Sequence, residues 1–179
     1  MLAVLLTASA RDRTFAQINR PLTADDSVQV HLAVLRALFD SLRVDTSRTA
    51  RIWVLPTAHW DSVTRTSTDV ALSDRELAAI EAVYPRARGA PAYDSVFVCA
   101  PGVRARMPGR GCPIRDDGIV VRFRTIRVSG DTARMAAGVI RSESGASGVY
   151  TWQEGFDWIV LVYTRGTWDL RAMLARWIT

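Results

Sequence analysis

The sequence predicts an α+β domain in which a curved antiparallel sheet wraps around one long N-terminal helix. The first observation is the pattern of residues 118–179, where short turn segments separate apolar or alternating runs. We assign the runs to a four-stranded meander: Gly118–Val128, Thr132–Ile140, Val149–Tyr163 and Trp168–Trp177. The second observation is Ala24–Leu42, where apolar residues recur at helical spacing after the N-cap candidate Thr23.

Three further elements are expected between the long helix and the meander. Arg51–Leu55 is a short apolar run that Pro56 ends, so we expect a buried strand. Ser73 and Glu76 form a capping box, which predicts a helix that ends before Pro85. Ser95–Cys99 has the apolar content of another short strand.

The alternation inside the meander predicts how its strands lie in the sheet. The alternation of apolar and polar residues shifts by one position at residues 126–128, as a β-bulge requires, and shifts again before Trp177. Phe156–Tyr163 is apolar in both phases, which is typical of a central strand. In this reading Asp157 shares a face with Ile159 and Leu161.

Composition indicates one ordinary globular domain over residues 17–179. About half of the residues are apolar and about a quarter are charged. All 23 basic residues are arginines, and the net charge is +5. We attribute the arginine usage mainly to codon bias, and no basic helix or base-stacking motif accompanies it. The sequence therefore predicts no nucleic-acid binding, and no run reaches the roughly twenty apolar residues of a membrane span.

The two cysteines and the N-terminal residues indicate in which cellular compartment the protein resides. Cys99 and Cys112 flank a loop rich in Pro, Gly and Arg. They would form a disulfide in an oxidising compartment and remain two small apolar residues in a reducing one. Residues 1–16 are apolar with small residues at Ala8 and Ala10, so they are either a signal peptide or an N-terminal extension. We expect an extracytoplasmic location, periplasmic or secreted.

The meander carries a resemblance to a known superfamily. Ile126–Ala133 (IRVSGDTA) and Leu161–Leu170 (LVYTRGTWDL) are similar to the hairpin motifs of the NTF2-like, cystatin-like α+β superfamily. The similarity extends to uncharacterised exported bacterial members. It implies a cone-shaped fold with a cavity at the open end, and it implies no particular activity. The family usually opens with two or three helices before its first strand, and the loop between the cysteines is an addition to its pattern.

Four residues are candidates for acid–base chemistry. His59 and Asp61 lie in the long polar segment after the first strand, where a carboxylate could orient a histidine. His31 lies at the edge of the apolar stripe of the long helix, and Asp157 would have its pKa raised if it were buried. Each also has a plain structural reading, as a solvated loop residue, a rim histidine or an exposed strand residue. No metal or cofactor motif is present.

The tryptophans supply the other candidate site. Trp152, Trp158 and Trp168 fall in the meander and would either fill the core or line an apolar pocket. Our functional expectation is a non-catalytic exported domain that binds a partner protein or a small apolar ligand, as an accessory part of an envelope assembly. The alternative is a small acid–base enzyme of the isomerase or hydrolase type that uses the cone cavity. Surface association with a membrane remains compatible with either.

Overall fold

The computed structural model describes residues 23–55, 72–99, 101, 112–146 and 148–179. The fold class is α+β, as the sequence predicts. The helices are α1 (Ala24–Ser41) and α2 (Asp74–Val83). The strands are β1 (Ile52–Val54), β2 (Ala87–Gly89), β3 (Ile119–Ser129), β4 (Thr132–Gly145), β5 (Gly148–Thr164) and β6 (Thr167–Ile178).

The six strands form one mixed sheet in the order β2-β1-β3-β4-β5-β6. Strand β1 runs parallel to both of its neighbours, whereas β3 to β6 form the expected antiparallel meander. The parallel strand β2 was not predicted, because three residues are too short a run to show a periodicity. The connection between β4 and β5 is also shorter than the predicted strand ranges imply, since β4 continues to Gly145 and β5 begins at Gly148.

The strand predicted at Ser95–Cys99 is wrong. A short 3₁₀ turn spans Tyr93–Val96, and beyond it Phe97 makes one isolated bridge with Ile114. Ser95 forms local bonds instead: its hydroxyl lies 2.6 Å from the carbonyl oxygen of Ala92, and its backbone N–H donates to the same oxygen at 3.2 Å. Such side-chain bonds to nearby backbone compete with a β-ladder.

The long strands are interrupted by register shifts that bend the sheet. One shift lies between Phe123 and Ile126, next to the predicted bulge, and another lies opposite Asp157 between Met135 and Ala137. The second shift breaks the alternation of β5, so Asp157 is exposed while Ile159 and Leu161 are fully buried. The expectation that these three residues share a face is therefore wrong.

The sheet has two different faces. The inner face packs against α1, and its core joins helix residues such as Leu35 and Leu38 to sheet residues such as Phe123, Met135 and Ile159. The outer face, on the opposite side, has a smaller apolar cluster near the start of β3 that includes Val96, Phe97, Ile114 and Val120. Among the described residues, the space between α1 and the sheet is therefore filled with side chains.

The predicted disulfide is formed. The sulfur atoms of Cys99 and Cys112 are 2.07 Å apart, and Cys112 is buried in the outer-face cluster. The bond joins Cys112 in this cluster to Cys99, which packs against the cluster. Residues 1–16, where a signal peptide was expected, lie outside the described residues. None of the helices in the described part of the chain is long and apolar enough to cross a membrane.

Candidate functional site

A buried polar junction joins the N-terminal ends of the two helices. His31 of α1 is 1% exposed and Glu76 of α2 is 6% exposed. The Nδ1 atom of His31 lies 2.8 Å from the carbonyl oxygen of Ser27 and 3.3 Å from Oε1 of Glu76. Because both oxygens only accept hydrogen bonds, Nδ1 carries the proton. The hydroxyl of Ser27 also donates to Glu76.

The carboxylate of Glu76 serves the N-terminus of its own helix as well. The backbone N–H of Ser73 donates to Oε2 at 2.6 Å, and the Ser73 hydroxyl donates at 2.8 Å. Burial by itself raises the pKa of Glu76, but the hydrogen bonds from His31, Ser27 and Ser73 outweigh it and hold the pKa far below its usual range. Glu76 is therefore a stable anion that links α2 to α1.

The first turn of α1 contains a similar buried carboxylate, that of Asp26. Asp26 completes a capping box with Thr23 and is 3% exposed. Its Oδ1 atom accepts a hydrogen bond from the indole N–H of Trp168 at 3.1 Å. In both helices the capping-box carboxylate thus also forms a tertiary contact, to α1 in one case and to β6 in the other.

The histidine candidate His31 has a carboxylate partner that was not among the four predicted residues. The sequence signal for Glu76 was its capping box, which predicts a helix start rather than a buried ion pair. Asp157 is exposed on β5. From the sequence we expect no two of the four candidates to lie within about 4 Å of each other, the range in which charges strongly perturb each other's pKa. His59 and Asp61 lie outside the described residues, so this stays a prediction for them.

The junction of His31 and Glu76 differs from an open acid–base site because it is enclosed by other side chains. The Nε2 atom of His31 is buried and has no hydrogen-bond partner, and the ring packs edge-on against Phe123 at a centroid distance of 4.9 Å. Two clefts lined by described residues, of about 360 and 300 Å³, include neither His31 nor Glu76. The junction is enclosed in the core of the inner face.

The three candidate tryptophans occupy different environments. Trp168 is 7% exposed and belongs to the core, and Trp152 is partly buried. Trp158 is 38% exposed. Because Trp158 is adjacent to the inward-facing Ile159, it points to the outer face.

The larger of the two clefts lies on the outer face, at the tip of the β3–β4 hairpin. Its volume is about 360 Å³, and its lining residues are Arg127, Val128, Ser129, Thr132, Arg134 and Trp158. Arg127 and Arg134 are directly opposite each other on neighbouring strands, and Ser129 opposes Thr132 in the same ladder. The guanidinium of Arg127 lies over the ring of Trp158, 5.9 Å from its centroid. We call this site the hairpin cleft.

The two arginines of the hairpin cleft have no carboxylate partner among the described residues. Two like charges directly opposite on adjacent strands destabilise a sheet. Arg141, which is partly buried on the inner face, does have a partner: it pairs with the carboxylate of Glu154 at 2.9 Å. Arg176 also contacts this carboxylate, at 3.2 Å, so Glu154 is engaged as a structural anion.

No group of three or more His, Cys, Asp or Glu side chains in the described part of the chain is arranged to hold a metal ion. The chemistry of the hairpin cleft is instead that of an anion site, with two cations, two hydroxyls and one aromatic face. No protein-family model, curated protein or solved structure matches this chain.

Proposed function

We propose that this chain is a non-catalytic exported domain with an NTF2-like cone fold, which binds a small anionic ligand in the hairpin cleft. The observation that carries the proposal is the uncompensated pair of Arg127 and Arg134 beside the exposed ring of Trp158. An anion between the two guanidiniums would relieve their repulsion and would form charge-assisted hydrogen bonds.

The size of the cleft supports a small ligand. Its volume of about 360 Å³ is at the lower end of the range for small-molecule sites, roughly 300–1,000 Å³. The filled space beneath α1 favours this outer site over the cone interior, where the sequence had suggested an apolar ligand. The Cys99–Cys112 bond is compatible with an oxidising compartment and supports the exported location.

A calorimetric titration tests this function. The ligands are phenylacetate, phenyl phosphate and phenyl sulfate, and the proteins are the wild type and the double variant Arg127→Gln/Arg134→Gln. We expect at least one ligand to bind the wild type and to lose about tenfold or more in affinity with the variant, since hydrogen bonds to charged groups contribute about 1.5–3 kcal/mol.

A matched control removes the same charge elsewhere. Arg36 lies on the exposed side of α1 and Arg171 is exposed on β6, outside the cleft. The variant Arg36→Gln/Arg171→Gln should retain the wild-type affinity. Equal weakening in both double variants would show nonspecific attraction to a basic protein, and the proposed function would then be wrong.

The alternative function is a small acid–base enzyme, and the pairing of His31 with Glu76 favours it. A carboxylate that fixes the tautomer of a histidine is a common arrangement in acid–base catalysis. A substrate would reach Nε2 only after the side chains around it moved, because His31 is 1% exposed. Hydrolysis of p-nitrophenyl acetate that is lost in His31→Gln but kept in Arg127→Gln/Arg134→Gln would support this alternative.

A further inference from the structure

We infer that the ligand of the hairpin cleft is a tetrahedral oxyanion ester, a phosphate or sulfate, that also bears a flat apolar group. This inference rests on the proposed function and specifies its ligand. The oxyanion lies between Arg127 and Arg134, and the flat group stacks on Trp158.

The arrangement of the two arginines favours a tetrahedral oxyanion over a carboxylate. Side chains directly opposite on neighbouring strands have Cβ atoms about 4.5–5.5 Å apart, so both guanidiniums can reach one small anion. Each guanidinium presents a planar fork of N–H donors that binds two oxygens at once. A carboxylate has two oxygens and satisfies one such fork. A phosphate or sulfate monoester has three terminal oxygens in different directions and can engage both forks.

The hydroxyl groups of Ser129 and Thr132 add hydrogen-bond donors on the same face of the sheet as the two arginines. Ser129 and Thr132 lie two residues from Arg127 and Arg134 on their respective strands, so all four side chains point to the outer face. Ser129 is exposed and Thr132 is partly exposed. Their hydroxyls can donate to the third oxygen of the anion.

Trp158 supplies the contact for the rest of the ligand. Trp158 is 38% exposed beside the two arginines, and the guanidinium of Arg127 lies over its ring. Stacked rings gain energy beyond the area that they bury. A cleft of about 360 Å³ has room for an oxyanion and one or two rings, whereas a nucleic-acid strand needs a continuous groove.

Titrations with four anions test this ligand assignment. Phenyl phosphate and phenyl sulfate should bind about tenfold more tightly than phenylacetate, because they engage one more guanidinium fork. Inorganic phosphate should bind about fivefold more weakly than phenyl phosphate, because it lacks the ring. The variant Trp158→Ala should remove this advantage of the phenyl ester and leave the affinity for inorganic phosphate unchanged. The ratio between phenyl phosphate and phenyl sulfate tells which ester is preferred.

The outcomes separate this inference from the proposed function. If phenylacetate binds as tightly as both esters, and its binding needs Arg127 and Arg134, the oxyanion assignment is wrong while the binding function stands. If Trp158→Ala weakens phenyl phosphate and inorganic phosphate equally, the stacking part is wrong. If no anion shows binding that depends on the arginine pair, the proposed function fails together with the inference. A native-like circular dichroism spectrum and a cooperative thermal transition verify that each variant is folded.

Discussion

Replacement of Glu76 by Gln should destabilise the protein at neutral pH, and the loss should shrink as the solution is acidified. Glutamine keeps the length of the side chain and one acceptor oxygen for the N–H of Ser73. Its amide NH₂ group then faces the hydroxyl of Ser27 and the Nδ1–H of His31, which both donate to the carboxylate in the native protein. Two charge-assisted contacts are therefore lost at a buried position.

The size of the effect follows from the charge of these contacts. Hydrogen bonds to charged groups contribute about 1.5–3 kcal/mol each, and a relaxed amide recovers part of this. We expect the free energy of unfolding at pH 7 to fall by about 2 kcal/mol.

The pH dependence follows from the lowered pKa of Glu76. The usual carboxyl pKa is 4.5, and in the folded protein it lies far below this value. Below about pH 4.5 the unfolded chain therefore takes up a proton that the folded protein does not bind. The stabilisation by Glu76 is complete above this pH and decreases on acidification by about 1.4 kcal/mol per pH unit. The variant lacks this term, so a gap of about 2 kcal/mol at pH 7 should close near pH 3.

Urea unfolding at pH 7, 5, 4 and 3, followed by circular dichroism, measures this gap. Glu143→Gln is a suitable control, because Glu143 is exposed on β4 and the substitution removes the same charge. The control should unfold like the wild type at each pH. A gap between Glu76→Gln and the wild type that stays constant from pH 7 to pH 3 would refute the ionic reading of the junction and leave only a packing defect.

Three other outcomes test the fold. Cys99→Ala/Cys112→Ala should lower the free energy of unfolding by about 3 kcal/mol, because the bridge spans 13 positions of the chain. Thiol titration of the unfolded, unreduced protein from its native compartment checks the bridge directly. Two free thiols would contradict both the bridge and the export. Ser73→Ala should cost about 1 kcal/mol in urea unfolding through loss of the cap, and a change within error would mean that the cap contributes nothing. Gly155→Ala should lower the free energy of unfolding by about 2 kcal/mol, because the added Cβ would lie 2.6 Å from the Cα atom of Gly138 and 2.7 Å from the ring of Trp177. Full recovery of stability in Gly155→Ala/Trp177→Ala would show that the ring alone is responsible.

The local elements of this protein could be predicted from local signals. The N-cap at Thr23 and the capping box at Ser73 act within one helical turn, and both helices begin where these signals place them. The hairpins of the meander depend on turns such as Ser129-Gly130-Asp131, where Gly130 has a positive φ of 58°. The bridge between Cys99 and Cys112 could be proposed because the two residues flank one loop.

Only the tertiary structure decided which groups meet. Glu76 and His31 are 45 positions apart in the chain, and helical periodicity carries no information about contacts between helices. The direction of Asp157 depends on a register shift, because one extra residue moves the following side chains to the other face. The hairpin cleft shows the same limit. The turn brings Arg127 opposite Arg134, but the approach of Trp158 depends on how β5 pairs with β4, and strand pairing is a property of the whole sheet.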